Sequence, residues 1–159
     1  MNGLSAVTHS AAETRALGVG LGALLVAGDV VLLAGGLGAG KTELTKGIAD
    51  ALEVKGSVLS PTFTLALRHE GRVPLLHVDV YRLDRVQELI DLGLEEDLDD
   101  VVTVVEWGHV VAAHLPRERL EVRLDRGVGS DDRTVTITPE GPSWHARALD
   151  LERVLLGSG

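Results

Sequence analysis

The sequence predicts an α/β fold: a mixed sheet, with central parallel strands plus an antiparallel hairpin, flanked by helices. Two apolar, β-branched runs, Val30–Ala34 and Val101–Glu106, have the continuous pattern of buried strands, and segments of helical spacing lie between them. Glu70-Gly71 separates two further strand-like segments, Thr62–Arg68 and Val73–Tyr81, in the manner of a hairpin turn. The 159 residues suit one domain, and with 45% apolar residues but only four aromatic ones the core has to be built from Leu, Val and Ala.

Taken in order, the first helix is expected over about Ala11–Ala27, where Leu17, Leu21, Leu24 and Leu25 recur at helical spacing. Ser10 caps it, Glu13 stands three residues on, and Gly28 stops it. Val30–Ala34 follows as a central strand. From Lys41 to Leu52 the apolar residues Leu44, Ile48, Ala51 and Leu52 mark a second helix laid on the sheet. Beyond the hairpin, Asp84–Leu92 reads as a short helix. Strands are expected again at Val101–Glu106, Leu120–Leu124 and Thr134–Thr138, the last two alternating as if one face were solvated. Ser143–Leu156 closes the chain as an amphipathic helix. With no internal repeat and no dividing linker, a single domain over residues 1–159 is expected.

Composition removes several function classes. With 24 acids against 15 bases the net charge is -9, which disfavours standalone binding to a phosphate backbone. The absence of cysteine excludes disulfides, thiolate zinc sites and cysteine nucleophiles. The apolar stretch from Ala16 to Gly40 is cut by Asp29 into runs of 13 and 11 residues and holds eight glycines, so no membrane span is expected. Residues 1–14 carry no Lys or Arg, so a secretory signal is not expected either, and the reading is a cytoplasmic protein. The window from Asp84 to Asp100 holds eight acids and one base; it is either a solvated face or a docking surface for a basic partner.

The strongest chemical signal is Gly35-Gly36-Leu37-Gly38-Ala39-Gly40-Lys41-Thr42, a phosphate loop between an apolar strand and a helix, which makes the expected fold P-loop NTPase-like. Its glycines let successive amides of Gly36, Leu37, Gly38, Ala39 and Gly40 turn toward phosphate oxygens at a helix N-terminus. Lys41 neutralises the β- and γ-phosphates, and the Thr42 hydroxyl ligates Mg²⁺. The competing dinucleotide pattern, Gly18-Val19-Gly20-Leu21-Gly22-Ala23, falls inside the first helix with no strand before it and is discounted. Such a loop needs a further carboxylate at the end of a neighbouring strand, and Asp79 and Glu106 compete for that position. Thr62, in Ser60-Pro61-Thr62-Phe63-Thr64, is a candidate switch residue over the γ-phosphate or an ordinary turn residue. His77 shares a strand face with Asp79, but no third ligand has metal spacing, so a histidine satisfied by a backbone partner is expected.

In order along the chain, Gly38-Ala39-Gly40-Lys41-Thr42, Ser60-Pro61-Thr62-Phe63-Thr64, His77-Val78-Asp79-Val80-Tyr81-Arg82-Leu83, Glu88-Leu89, Gly93 and Glu106-Trp107 resemble the bacterial TsaE (YjeE) family. The resemblance covers about residues 5–138. It implies an ATPase required for N6-threonylcarbamoyladenosine in tRNA, acting on the TsaB and TsaD proteins to reset their complex and meeting tRNA only indirectly. It implies ATP or ADP with Mg²⁺ as ligands, Lys41 on the phosphates, Thr42 and Glu106 on Mg²⁺, and Asp79 facing the γ-phosphate and its water. Trp107 and Arg133 complete the implied site, and Thr8 contacts the nucleotide from the N-terminal segment. The chain departs from the family pattern at Gly36, where many relatives carry an acidic or amide residue, and at Glu43, where a second Thr or Ser is common. Two alternatives stay open: a small-molecule kinase, against which the short segment from Trp107 to Leu120 offers little for a closing lid, and a nucleotide-dependent regulatory module without meaningful turnover.

Overall fold

A computed structural model describes residues 3–36, 38–56, 66–79, 98–106 and 115–157. The expected helix Asp84–Leu92, the acidic window up to residue 97 and the site candidates Leu37, Thr62 and Trp107 lie outside the described residues. The elements are β1 (Leu4–Thr8), α1 (Ala11–Leu24), β2 (Val30–Ala34), α2 (Lys41–Ala51), β3 (Ala66–His69), β4 (Leu75–Asp79), a short 3-10 turn (Leu98–Asp100), β5 (Val102–Glu106), β6 (Arg119–Arg126), β7 (Arg133–Glu140), α3 (Pro142–Ala146) and α4 (Ala148–Gly157).

The strands form one seven-stranded sheet in the order β1-β7-β6-β2-β5-β4-β3. At its centre β2 runs parallel to both β5 and β6, and β4 runs parallel to β5. The two margins are antiparallel: β3 on β4 at one, and β6-β7-β1 at the other. This is the mixed sheet the sequence predicts, and the hairpin about Glu70-Gly71 forms where expected. Because β2 is covered on both faces, its five residues are a continuous apolar run. Strand β1 is an addition. Its sequence, Leu-Ser-Ala-Val-Thr, is short and half exposed, and its pairing with β7 comes from the far end of the chain.

One face of the sheet carries the principal core. Val31, Leu33, Val102, Val104, Leu120, Val122 and Leu124 meet Leu17, Leu21 and Leu25 of the first helical segment and Leu44, Ile48 and Leu52 of the second. Trp144, Leu151 and Leu155 close the core beside β7. The glycines inside α1, which imitate a dinucleotide motif, have a packing role: a Cβ at Gly18 would run into the Leu44 carbonyl, and one at Gly47 into the Arg15 carbonyl. Helices α1 and α2 therefore touch backbone to backbone, which fixes the start of α2 against the sheet.

Two helix boundaries differ from the sequence expectation for one reason. Helix α1 ends at Leu24, short of Ala27, and the C-terminal helix is split at Arg147 into α3 and α4. The Arg147 guanidinium reaches back to Asp29 with two hydrogen bonds, of 2.7 and 2.9 Å, and donates to the Leu24 carbonyl at 3.0 Å. Asp29 in turn accepts the Val26 amide at 2.8 Å. Satisfying α1's last turn with a cation 123 residues away ends that helix early and breaks the other. The apolar stretch from Ala16 to Gly40 thus resolves into the end of a helix, a strand and a loop. No helix among the described residues is long and apolar enough to cross a membrane.

Candidate functional site

The parallel strands β2, β5 and β4 end in one row, with Leu33 opposite Glu106 and Glu106 opposite Asp79. The two carboxylates that compete in the sequence are therefore adjacent last residues of neighbouring strands. The chain leaves β2 through Gly35 and Gly36 and enters α2 at Gly40, whose backbone is left-handed (φ 103°) and open to glycine at no steric cost. Gly40 supplies no side-chain cap, so the first-turn amides of α2 project toward the cleft with the positive end of the helix dipole behind them.

The cleft in front of this turn has a volume of about 360 Å³. One wall is the loop and helix start from Gly38 to Glu43; Asp79 and Glu106 form the floor. Ser10, Ala11 and Thr14 at the start of α1 line it, with Asp131 from the β6–β7 connection and Arg133 at the start of β7. Ser10 caps α1 as expected, its hydroxyl accepting the Glu13 amide at 3.1 Å, while the Glu13 carboxylate accepts the His9 amide at 3.3 Å.

Lys41 is 7% exposed and donates to the Gly35 carbonyl at 2.6 Å. Burial pushes its ammonium below the ordinary lysine range, and the negative charges of Glu106 and Asp79 partly offset that. A lysine held this way over a loop of amides suits an anion better than it suits water. Arg133 donates to the carbonyls of Ser130 and Asp132 at 2.9 and 2.8 Å and to the Gly38 carbonyl at 3.1 Å, tying the β6–β7 connection to the phosphate loop. Gly36, Gly38, Ala39 and Gly40 lie in the turn between β2 and α2, and Lys41 and Thr42 are the first two residues of α2. Thr8 is fully buried and does not line the cleft; its hydroxyl lies 2.7 Å from that of Thr14, which does.

His77 departs from the expectation of a backbone partner. Its Nε2 lies 2.9 Å from Glu106 Oε2, and both side chains are buried. The sequence did not single out Asp131, nor Arg126, whose guanidinium lies over Gly38. The one available signal for Arg126 is its register opposite Arg133. Among the described residues no group of three or more His, Asp or Glu side chains forms a metal cage. The hard oxygens of Thr42 and Glu106 nevertheless suit Mg²⁺, a cation that takes few protein ligands and completes its shell with phosphate and water.

The sequence model of the family described as "Threonylcarbamoyl adenosine biosynthesis protein TsaE" matches residues 8–135. The tRNA threonylcarbamoyladenosine biosynthesis protein TsaE of Mycobacterium tuberculosis is 51% identical over 134 residues, covering 78% of this chain and 80% of its own. The protein of the same description from Bacillus subtilis is 41% identical over 143 residues, 89% of either chain. The crystal structure of Bacillus subtilis YdiB superposes with a TM-score of 0.81 at 37% identity, covering 95% of both chains.

Proposed function

Since the chain belongs to the TsaE family of threonylcarbamoyl adenosine biosynthesis proteins, we propose that it binds ATP with Mg²⁺ in the cleft at the start of α2 and hydrolyses it in the service of tRNA modification. The observation that carries this reading is the juxtaposition of an uncapped, glycine-entered helix N-terminus and a desolvated lysine with two carboxylates in register, Asp79 and Glu106. That arrangement meets a triphosphate with positive charge and keeps acidic groups where a cation and a water are handled.

In this reading the loop amides from Gly36 to Gly40, that of Leu37 included, and the ammonium of Lys41 bind and orient the β- and γ-phosphates. Thr42 and Glu106 hold Mg²⁺, which when bound spreads the charge that develops on the phosphoryl oxygens. Asp79, at the end of β4, orients the attacking water. Arg133 braces the loop from the β6–β7 side, and Thr8 supports the cleft wall through Thr14. Thr62 is the candidate switch residue over the γ-phosphate, and Trp107 completes the site as the family resemblance implies. ADP and phosphate are the products. The proposed partners are TsaB and TsaD, whose complex the hydrolysis cycle resets, with tRNA met only through them in the cytoplasm.

The test is steady-state phosphate release from Mg-ATP by this protein, alone and with TsaB and TsaD of the same organism. Slow release that rises with the partners and vanishes in Lys41→Ala supports the reading. Release that ignores the partners removes the proposed role and leaves a nucleotide site in search of an acceptor, and release that persists in Lys41→Ala removes the site.

A further inference from the structure

His77 sits on β4 two residues before Asp79, so both side chains lie on the same face of the strand, and β4 runs parallel to β5 with His77 opposite Val104 and Asp79 opposite Glu106. The imidazole is thus one step deeper in the sheet than the carboxylate row and reaches diagonally to Glu106, Nε2 to Oε2, at 2.9 Å. His77 is 0% exposed and Glu106 3%, so the two side chains meet largely out of contact with bulk water. A carboxylate only accepts, which puts the hydrogen on Nε2. The other ring nitrogen, Nδ1, is buried with no hydrogen-bond partner among the described residues, so Glu106 is the one acceptor there that the imidazole reaches.

A histidine kept in a core merely to fill space would be replaced at lower cost by leucine, the residue at the same face of β4 at position 75. From the burial, the register and the hydrogen bond to Glu106 we infer that His77 is a positioning residue: its Nε2–H fixes the rotamer and plane of the Glu106 carboxylate, and so the angle at which that carboxylate lines the cleft. The inference rests on the proposed role of Glu106 as a cation ligand. Outer partners of this kind orient a ligating group that would otherwise sample several rotamers, and their loss weakens metal binding by about 10- to 100-fold.

The experiment has two arms on the full chain. In the first, long-range ¹H–¹⁵N NMR of the nucleotide-free protein reads the His77 tautomer. The Nε2–H form, with a ring signal that moves in Glu106→Leu, is expected; the Nδ1–H form, or a signal indifferent to Glu106, overturns the inference with no variant of His77 required to fold. In the second, Mn²⁺ binding to the protein–ADP complex is compared with the affinity for ADP without metal. His77→Leu is expected to weaken Mn²⁺ about 10-fold or more while leaving metal-free ADP within about twofold, and His77→Gln, whose amide N–H can reach the same acceptor, restores it. Equal losses in both affinities mean that His77 only packs, which overturns positioning while the nucleotide site stands. A wild-type protein that binds no ADP removes the nucleotide reading itself and this inference with it.

Discussion

Strand β2 carries a charged constellation at each end, and the two are built on opposite lines. At its start, Asp29 is matched in full: two hydrogen bonds from Arg147, one from the Val26 amide, and an arginine that also covers the Leu24 carbonyl and lies 3.5 Å from the centre of the Trp144 ring. At its end, Lys41 is held on loop carbonyls in a desolvated position that pushes its pKa down, and the helix it opens has no side-chain cap. The first end spends its charges on joining α1, β2 and α3. The second keeps polar groups concentrated where a phosphate would satisfy them, and the contrast predicts opposite phenotypes for the two cations.

The largest effect is expected at Lys41. Lys41→Met removes the ammonium and keeps the stem, and turnover of Mg-ATP should fall by about 10²- to 10³-fold, the loss typical of one preorganised electrostatic group. Stability should not fall with it. With a folded pKa below the unfolded one, the unfolded chain binds the extra proton between those two values, so the wild-type protein gains stability as pH rises through that window. Lys41→Met should therefore have a urea midpoint at neutral pH equal to or above wild type and lack the alkaline gain. A lower midpoint would mean that the lysine is structural, like Arg147.

Arg147→Ala is the converse. It strands a buried carboxylate, and breaking such a pair by removing one partner costs about 3 kcal/mol. Urea denaturation should register that loss, while ADP affinity of the protein that remains folded stays at the wild-type value. An affinity that drops in step with stability would join the two ends of β2 into one cooperative unit and end the distinction drawn between them.

How much of this was legible in the sequence follows the same division. The phosphate-loop pattern is local, eight consecutive residues running from the end of β2 into the first turn of α2, and stands in the sequence as a single motif. Asp79 and Glu106 could be found as strand ends but not ranked, because their adjacency depends on the β4–β5 register. His77 was expected to have a backbone partner, since a glutamate 29 residues on becomes its neighbour only through that pairing. Asp29 looked like an interruption in an apolar run until Arg147 supplied its reason. β1 has too few residues and too weak an alternation to stand out before β7 pairs with it.

The helix pair that links the two ends offers a smaller, sharper test. Ala for Gly in a helix interior normally gains up to about 1 kcal/mol from propensity. At Gly47 that gain is outweighed, because the new methyl meets the Arg15 carbonyl and the Val19 amide, backbone atoms that cannot step aside, and overpacking of this kind costs about 1–3 kcal/mol. At Gly20 the nearest atom is a Val154 methyl, the movable end of a side chain. Gly47→Ala should lower the melting temperature and Gly20→Ala should leave or raise it. If both behave alike, the close approach of α1 and α2 is not what positions the loop.

The smallest effect lies at the rim of the cleft, where His9 and Asp132 pair at 2.9 Å and join the approach to α1 to the connection that carries Asp131 and leads into Arg133. The hydrogen bond that His9 donates to Asp132, and the charge of that carboxylate, raise His9 above 6.5, and the same bond holds Asp132 below 3.8. The signs are opposite: the raised His9 contributes stability that is complete below its unfolded value and lost as pH rises through the folded one, whereas Asp132 contributes above its unfolded value and loses it as pH falls through its folded one. The pair therefore stabilises most between those limits. His9→Asn should have a lower denaturation midpoint than wild type at about pH 5.5, and the two should converge by about pH 8.5. Because His9 is exposed and Asp132 only partly buried, raising the salt concentration should shrink the acidic difference as well, in contrast to the largely buried Asp29–Arg147 pair, which salt screens far less. A difference that persists unchanged at alkaline pH would make this a neutral hydrogen bond, and the rim would then be held by the Arg133 contacts to Ser130, Asp132 and Gly38 instead of by charge.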